Sequence, residues 1–187
     1  SLPSLASSLG SSSNIPLSDA DYSFVGEGPR DHAGISVSSA GDVDGDGLDD
    51  LLVGARLYDY YPTPEVGKTD AGKAYLILGS SLPAASSPVT INLSAADYSF
   101  VGENSADNAG SSVSSAGDVD GDGLSDLLVG AYQNDDGGGS PSRAHDGAGK
   151  AYLILGSSLG SSPVIDLSLA DYSFVGENSA DSAGFSS

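Results

Sequence analysis

This sequence repeats itself, and the repeat leaves few folds open to it. Asp-Tyr-Ser-Phe-Val-Gly-Glu occurs three times, starting at Asp21, Asp97 and Asp171, in steps of 76 and 74 residues. The segment from Val37 to Ala55 returns as Val113 to Ala131 with one change, Asp49 against Ser125. Ala71 to Leu82 returns unchanged as Ala148 to Leu159. A fixed period of this kind marks a chain made of one supersecondary unit stacked on its neighbours. The copies differ mainly in two connections: Arg56 to Asp70 against Tyr132 to Gly147, and Gly79 to Ala96 against Gly156 to Ala170.

Each unit reads as four short strands. Ile35 to Ala40 (Ser111 to Ala116) is small and bounded by Gly, and Asp50 to Ala55 (Asp126 to Ala131) is an apolar run. Lys73 to Leu78 (Lys150 to Leu155) and Tyr22 to Val25 (Tyr98 to Val101, Tyr172 to Val175) alternate in residue character. Short, evenly spaced, Gly-bounded runs indicate an all-β fold, and no stretch carries the 3.6-residue periodicity of a helix. Four strands per unit match a four-stranded antiparallel β-propeller blade, with the small strand innermost and the aromatic strand outermost. A β-sandwich of unrelated hairpins is the alternative, but near-identical units stack more readily than they interleave.

The blade boundaries expected on this reading are 1–33 for the end of a preceding blade, 34–101 and 110–175 for two blades, and 183–187 for the start of another. The array is expected to be an incomplete propeller or a fragment of a longer repeat. Its open strand edges are then available to further blades or to other copies.

Between the first two strands of each unit lies an aspartate loop. In the first unit Asp42, Asp44, Asp46 and Asp50 take loop positions 1, 3, 5 and 9; in the second, Asp118, Asp120, Asp122 and Asp126 do. Gly stands at positions 4 and 6 of both. Alternate positions of a tight loop aim oxygens inward, and calcium takes six to eight hard oxygen ligands. Carboxylates this close would otherwise repel one another. One calcium per loop is therefore expected, two sites in all. Leu48 and Leu124 would give a carbonyl while their side chains turn into the core, and Asp50 and Asp126 would close the shell. Magnesium fits less well because it holds to a rigid octahedron and keeps its waters. An EF-hand is excluded, since its acid closes at position 12 and a helix follows.

With 26 acidic residues against 6 basic, the formal charge is −20. No basic patch exists to engage nucleic-acid phosphate. Cysteine is absent, so disulfides and thiolate metal sites are excluded. No apolar run is long enough for a membrane-spanning helix, so membrane insertion is not expected.

Phe24-Val25-Gly26, Ala40 to Gly47 and Asp50 to Ala55, with their copies from Phe100 and Gly117 onward, resemble the FG-GAP repeat of integrin α-subunit propellers. The resemblance implies propeller blades with calcium loops on one face. Two departures leave the ligand positions untouched: Val separates Phe from Gly, and Arg56 and Tyr132 stand where the family has Pro.

A calcium-rigidified extracellular scaffold or adhesive module is the function expected first. A propeller that recognises a protein or glycan through its variable loops comes second, with Tyr58, Tyr60 and Tyr61 beside Pro62 as the aromatic candidates. A non-catalytic propeller attached to a secreted enzyme comes third. Catalysis by the chain itself is not expected: His32 aligns with Asn108 and Ser182, and His145 lies in a glycine-rich loop without a nucleophile motif. Exposed loops with few ligands imply calcium affinities of roughly 10⁻⁴–10⁻³ M, which suit an extracellular, secreted or cell-surface location.

Overall fold

A computed structural model describes residues 16–63, 66–84, 88–136, 147–178 and 181–185. His145 falls outside them. The described residues form β1 (Tyr22–Val25), β2 (Ala33–Gly41), β3 (Asp50–Ala55), β4 (Tyr60–Thr63), β5 (Val66–Lys68), β6 (Lys73–Ile77) and β7 (Val89–Asn92). There follow β8 (Tyr98–Val101), β9 (Ala109–Gly117), β10 (Asp126–Ala131), β11 (Lys150–Ile154), β12 (Val164–Asp166) and β13 (Tyr172–Val175). Short 3₁₀ turns are the only helical pieces among the described residues.

Two large sheets carry the architecture, ordered β12-β8-β6-β3-β2 and β13-β11-β10-β9. Their four shared positions are antiparallel, with Leu52 opposite Leu76 in the first and Leu128 opposite Leu153 in the second. β3, β6, β10 and β11 are central strands, which is why their sequences read as nearly continuous apolar runs. The chain is all-β, in antiparallel propeller-type sheets that do not close on themselves.

The first sheet also has a fifth strand, absent from the sequence reading. β12 lies in the connection before β13 yet joins the edge of β8 in parallel, with Ile165 opposite Phe100. β7 does the same to β1, with Ile91 opposite Phe24. Each unit thus lends a short β-branched strand to the outer edge of the unit before it, covering what would be an open edge. A third addition is the β4–β5 hairpin inside the Arg56 to Asp70 connection.

The main core lies between the two large sheets. Leu52, Leu76 and Phe100 of one meet Leu127, Val129 and Tyr152 of the other, all at zero exposure. The innermost strands β2 and β9 also face each other closely. Ser36 Oγ donates to the Gly110 carbonyl at 2.9 Å, and a Cβ on Gly54 would collide with that same carbonyl oxygen. Glycine at position 54 is thus a packing requirement, as Gly130 is against Gly184 in the next unit.

The repeated heptapeptide ties down the third strand at both of its ends, within its own unit through Asp and in the following unit through Glu. Asp97 accepts from the Leu78 N–H (2.8 Å) and from Ser81 Oγ (2.6 Å), fixing the turn that ends the third strand. Asp171 repeats this on Leu155 and Ser158. At the other end Glu27 takes Lys73 Nζ at 2.8 Å and Glu103 takes Lys150 Nζ at 2.8 Å, each joining an outer strand to the third strand of the following unit. Lys68 reaches from β5 to Asp166 at 2.6 Å and to the Gly102 carbonyl at 3.0 Å.

Around Lys150 the second clamp also holds Asp136, at 2.9 Å, whose N–H donates to Asn134 Oδ1, and Asn134 in turn reaches the buried Asp107. Asp107 accepts from the Asn104 N–H (2.9 Å) and from Asn134 Nδ2 (3.0 Å). Burial raises Glu103, whereas hydrogen bonding to Lys150 holds Asp136 low. Burial also outweighs the two hydrogen bonds to Asp107 and pushes its carboxyl up to about 6 from 3.8. The folded state therefore binds this proton more tightly than the unfolded state. The associated stabilisation is complete below pH 3.8 and is lost as pH rises through about 6. Asp107→Asn should remove that slope. Between pH 4 and 7.5 the variant should gain about 2 kcal/mol relative to the parent, a value that urea unfolding at the two pH values will measure. Equal pH dependence of the two proteins would contradict the assignment.

Candidate metal centre

Both aspartate loops leave the innermost strand and return on a central one, so their ends are fixed by the β2–β3 and β9–β10 ladders. Within the first loop Asp42 accepts backbone N–H groups from Gly45 (2.8 Å), Asp46 (3.1 Å) and Gly47 (2.9 Å). Asp44 accepts from the Asp46 N–H at 3.1 Å and Asp46 from the Leu48 N–H at 2.8 Å. The second loop repeats this set on Asp118, Asp120 and Asp122. Gly47 (φ 87°) and Gly123 (φ 95°) occupy the left-handed region that this winding needs.

Asp50 differs from the rest in being fully buried. Its Oδ2 accepts from the Val43 N–H at 2.9 Å and its Oδ1 from the Gly79 N–H at 2.8 Å, tying the loop to the turn after β6. Asp126 does the same with Val119 (2.8 Å) and Gly156 (2.9 Å). Burial raises the Asp50 carboxyl, its two backbone bonds oppose that, and the charges of Asp44 and Asp46 add to the rise. A divalent cation here would offset the last contribution directly.

Of the sequence-predicted residues, the structure gathers Asp42, Asp44 and Asp50, and likewise Asp118, Asp120 and Asp126. In each trio the facing carboxylate oxygens lie within 4.8 Å of one another. Two oxygens on one calcium are at most about 4.6–5.2 Å apart, so both trios fit that ion. Asp46 and Asp122 stand outside the trios, exposed, each with one oxygen on a leucine N–H. Leu48 departs from its expected place: its side chain is 50% exposed, lying over Gly79 rather than in the core. The closing turn holds the Leu48 backbone at the surface, so the side chain follows it.

The two loops also touch, which the sequence did not reveal. The Asp42 carbonyl accepts from the Ser125 N–H at 2.8 Å, and Ser125 Oγ packs on Gly41. The one position at which the long repeat varies, Asp49 against Ser125, is therefore a contact between loops. A carboxylate at 125 would press against the backbone of an already acidic neighbour.

Comparison with known proteins bears on the repeat that carries these loops. The FG-GAP repeat family matches residues 33–77, from β2 to β6, and residues 109–154, from β9 to β11. Integrin alpha-PS2 of Drosophila melanogaster is 32% identical over 139 residues, covering 74% of this chain and 9% of that protein. Integrin alpha-5 of Xenopus laevis is 36% identical over 111 residues, 59% of this chain and 9% of its own length. Integrin alpha-IIb of Mus musculus is 35% identical over 138 residues, 74% of this chain and 12% of its own. The chain thus spans about a tenth of the length of these relatives.

Proposed function

Because the chain is an FG-GAP repeat protein similar to integrin α-subunits, we propose that it is an extracellular adhesive or scaffold module stiffened by calcium, one ion per aspartate loop. The observation that carries this reading is the pair of carboxylate trios, each anchored by a buried aspartate. Asp42, Asp44 and Asp50 would hold one ion, and Asp118, Asp120 and Asp126 the other. Asp46, Asp122 and the carbonyls of Leu48 and Leu124 would supply further oxygens.

The proposed role is non-catalytic. His32 has φ 55°, and its counterparts Asn108 and Ser182 have 58° and 54°. That position asks for a residue tolerant of left-handed backbone, which accounts for His32 without imidazole chemistry. No helix among the described residues is long and apolar enough to cross a membrane.

A second reading, recognition of a protein or glycan, rests on the β4–β5 hairpin. Tyr58 is engaged internally beneath Lys73 Nζ, 4.4 Å from its ring centre. Tyr61 lies on Gly67 and remains 55% exposed, the aromatic surface such a ligand would meet.

Calorimetric titration of the metal-free chain tests the cation reading. Two sites with Kd of roughly 10⁻⁴–10⁻³ M are expected for calcium, and much weaker binding for magnesium. Asp44→Ala with Asp120→Ala should remove both sites. Absence of heat and of any spectral change in millimolar calcium would refute it.

A further inference from the structure

We propose that the two aspartate loops bind calcium cooperatively, each ion raising the affinity of the other loop through a buried junction between them. The coupling rests on the cation-binding reading above and adds a dependence that two separate sites would not have.

The junction lies inside the array, where one unit meets the next. The Asp42 carbonyl, at position 1 of the first loop, accepts from the Ser125 N–H at 2.8 Å. Ser125 takes position 8 of the second loop, between Leu124, whose carbonyl is an expected ligand, and Asp126, whose carboxylate closes the shell. A second connection runs beneath the first. The Val43 N–H donates to Asp50 Oδ2 at 2.9 Å, and the Val43 carbonyl oxygen lies against Gly156. The Gly156 N–H donates to Asp126 Oδ1 at 2.9 Å. Val43 and Gly156 therefore join the two closing aspartates, both of them fully buried. Leu124 makes a third contact, its Cδ2 lying on Gly45 of the first loop.

An ion at one loop fixes this junction for the other. Calcium at the second loop would hold the Leu124 carbonyl and the Asp126 carboxylate, and with them the Ser125 N–H between. That N–H and Gly156 then hold the Asp42–Val43 backbone, which carries one ligand and donates to another, Asp50. Part of the ordering cost of the first loop is met before its own ion arrives. The reverse holds equally, because coupling between two sites is reciprocal.

Charge works against this. The loops hold five and four aspartates, and each bound ion removes negative potential that draws the other. The junction is dry, with Val43 1% exposed, whereas Asp44, Asp46, Asp120 and Asp122 are exposed and screened within about 8 Å at 0.15 M salt. Salt weakens the opposing charge effect and leaves the buried hydrogen bonds and packing, so ordering prevails.

Calorimetric titration of the parent, Asp44→Ala and Asp120→Ala with calcium chloride tests the coupling. Each single variant keeps one loop intact and gives its affinity while the other stays empty. The product of the parent's two stepwise association constants should exceed the product of the two single-site constants by about tenfold. That factor should persist in 1 M salt, where screening acts within about 3 Å. Ser125→Asp gives the second loop the residue that the first has at this position, and presses a carboxylate on Gly41 and the Asp42 carbonyl. Repeating the three titrations in that background should bring the factor to about one. A factor of one or less in the parent, or a factor unchanged by Ser125→Asp, would overturn the coupling and leave two independent calcium sites. Absence of calcium binding by the parent would overturn the cation reading together with it.

Discussion

Replacing Asp50 with Ala is expected to lower stability by about 2–4 kcal/mol, and to do so whether or not calcium is present. Asp50 is fully buried and its two oxygens receive the Val43 and Gly79 N–H groups at 2.9 and 2.8 Å. Truncation leaves both donors without an acceptor, at roughly 1–3 kcal/mol each. Part of this is returned, because burial already strains the carboxylate toward its neutral form. For a chain of this size the net loss corresponds to a melting temperature lower by about 10 °C. Asp126→Ala should behave alike through Val119 and Gly156. Asp46→Ala is the control: that side chain is exposed and accepts a single local bond, so in chelator it should cost under about 1 kcal/mol. If Asp50→Ala and Asp46→Ala melted together in chelator, the bracing role of the buried aspartate would be wrong.

How much of this was legible in the sequence follows from what each signal depends on. Strand identity, the antiparallel sheets and the aspartate loops depend on residues close together in a repeated segment, and those were readable. Burial depends on neighbours. Tyr-Ser-Phe-Val is buried in β8 and exposed throughout β13, and Val43 is 1% exposed while its copy Val119 is 52% exposed. No property of those residues distinguishes the copies; what distinguishes them is whether another unit lies alongside. The parallel strands β7 and β12 were hidden for a related reason, since each pairs with a unit other than the one whose connection contains it. Their β-branched residues, Val89-Thr90-Ile91 and Val164-Ile165, were the available signal. The Lys–Glu clamps were signalled too, by a Glu and a Lys that never vary among the chain's own copies, but spacing alone could not pair residues 46 or 47 apart.

Chelation should destabilise the chain by an amount of the same order, through a different route. If calcium binds only the folded loops, each site adds RT ln(1 + [Ca]/Kd), about 1–2 kcal/mol at several times Kd and about 2–4 kcal/mol for two. The increments should act together, because the Asp42 carbonyl is bonded to the second loop and the sheets share one core. Metal-free protein should therefore melt lower and be cut faster between Asp42 and Asp50, and magnesium at equal concentration should rescue it poorly. Asp44→Ala with Asp120→Ala separates ion from brace. Both side chains are exposed and each accepts one local N–H, so the double variant should match the parent in chelator and fail to gain stability in calcium. Asp50→Ala, by contrast, should lose stability in both conditions. If parent and double variant kept the same melting temperature and cleavage pattern with and without calcium, the loops would be hydrogen-bonded turns sufficient in themselves, and stiffening by an ion would have no part in what this protein does.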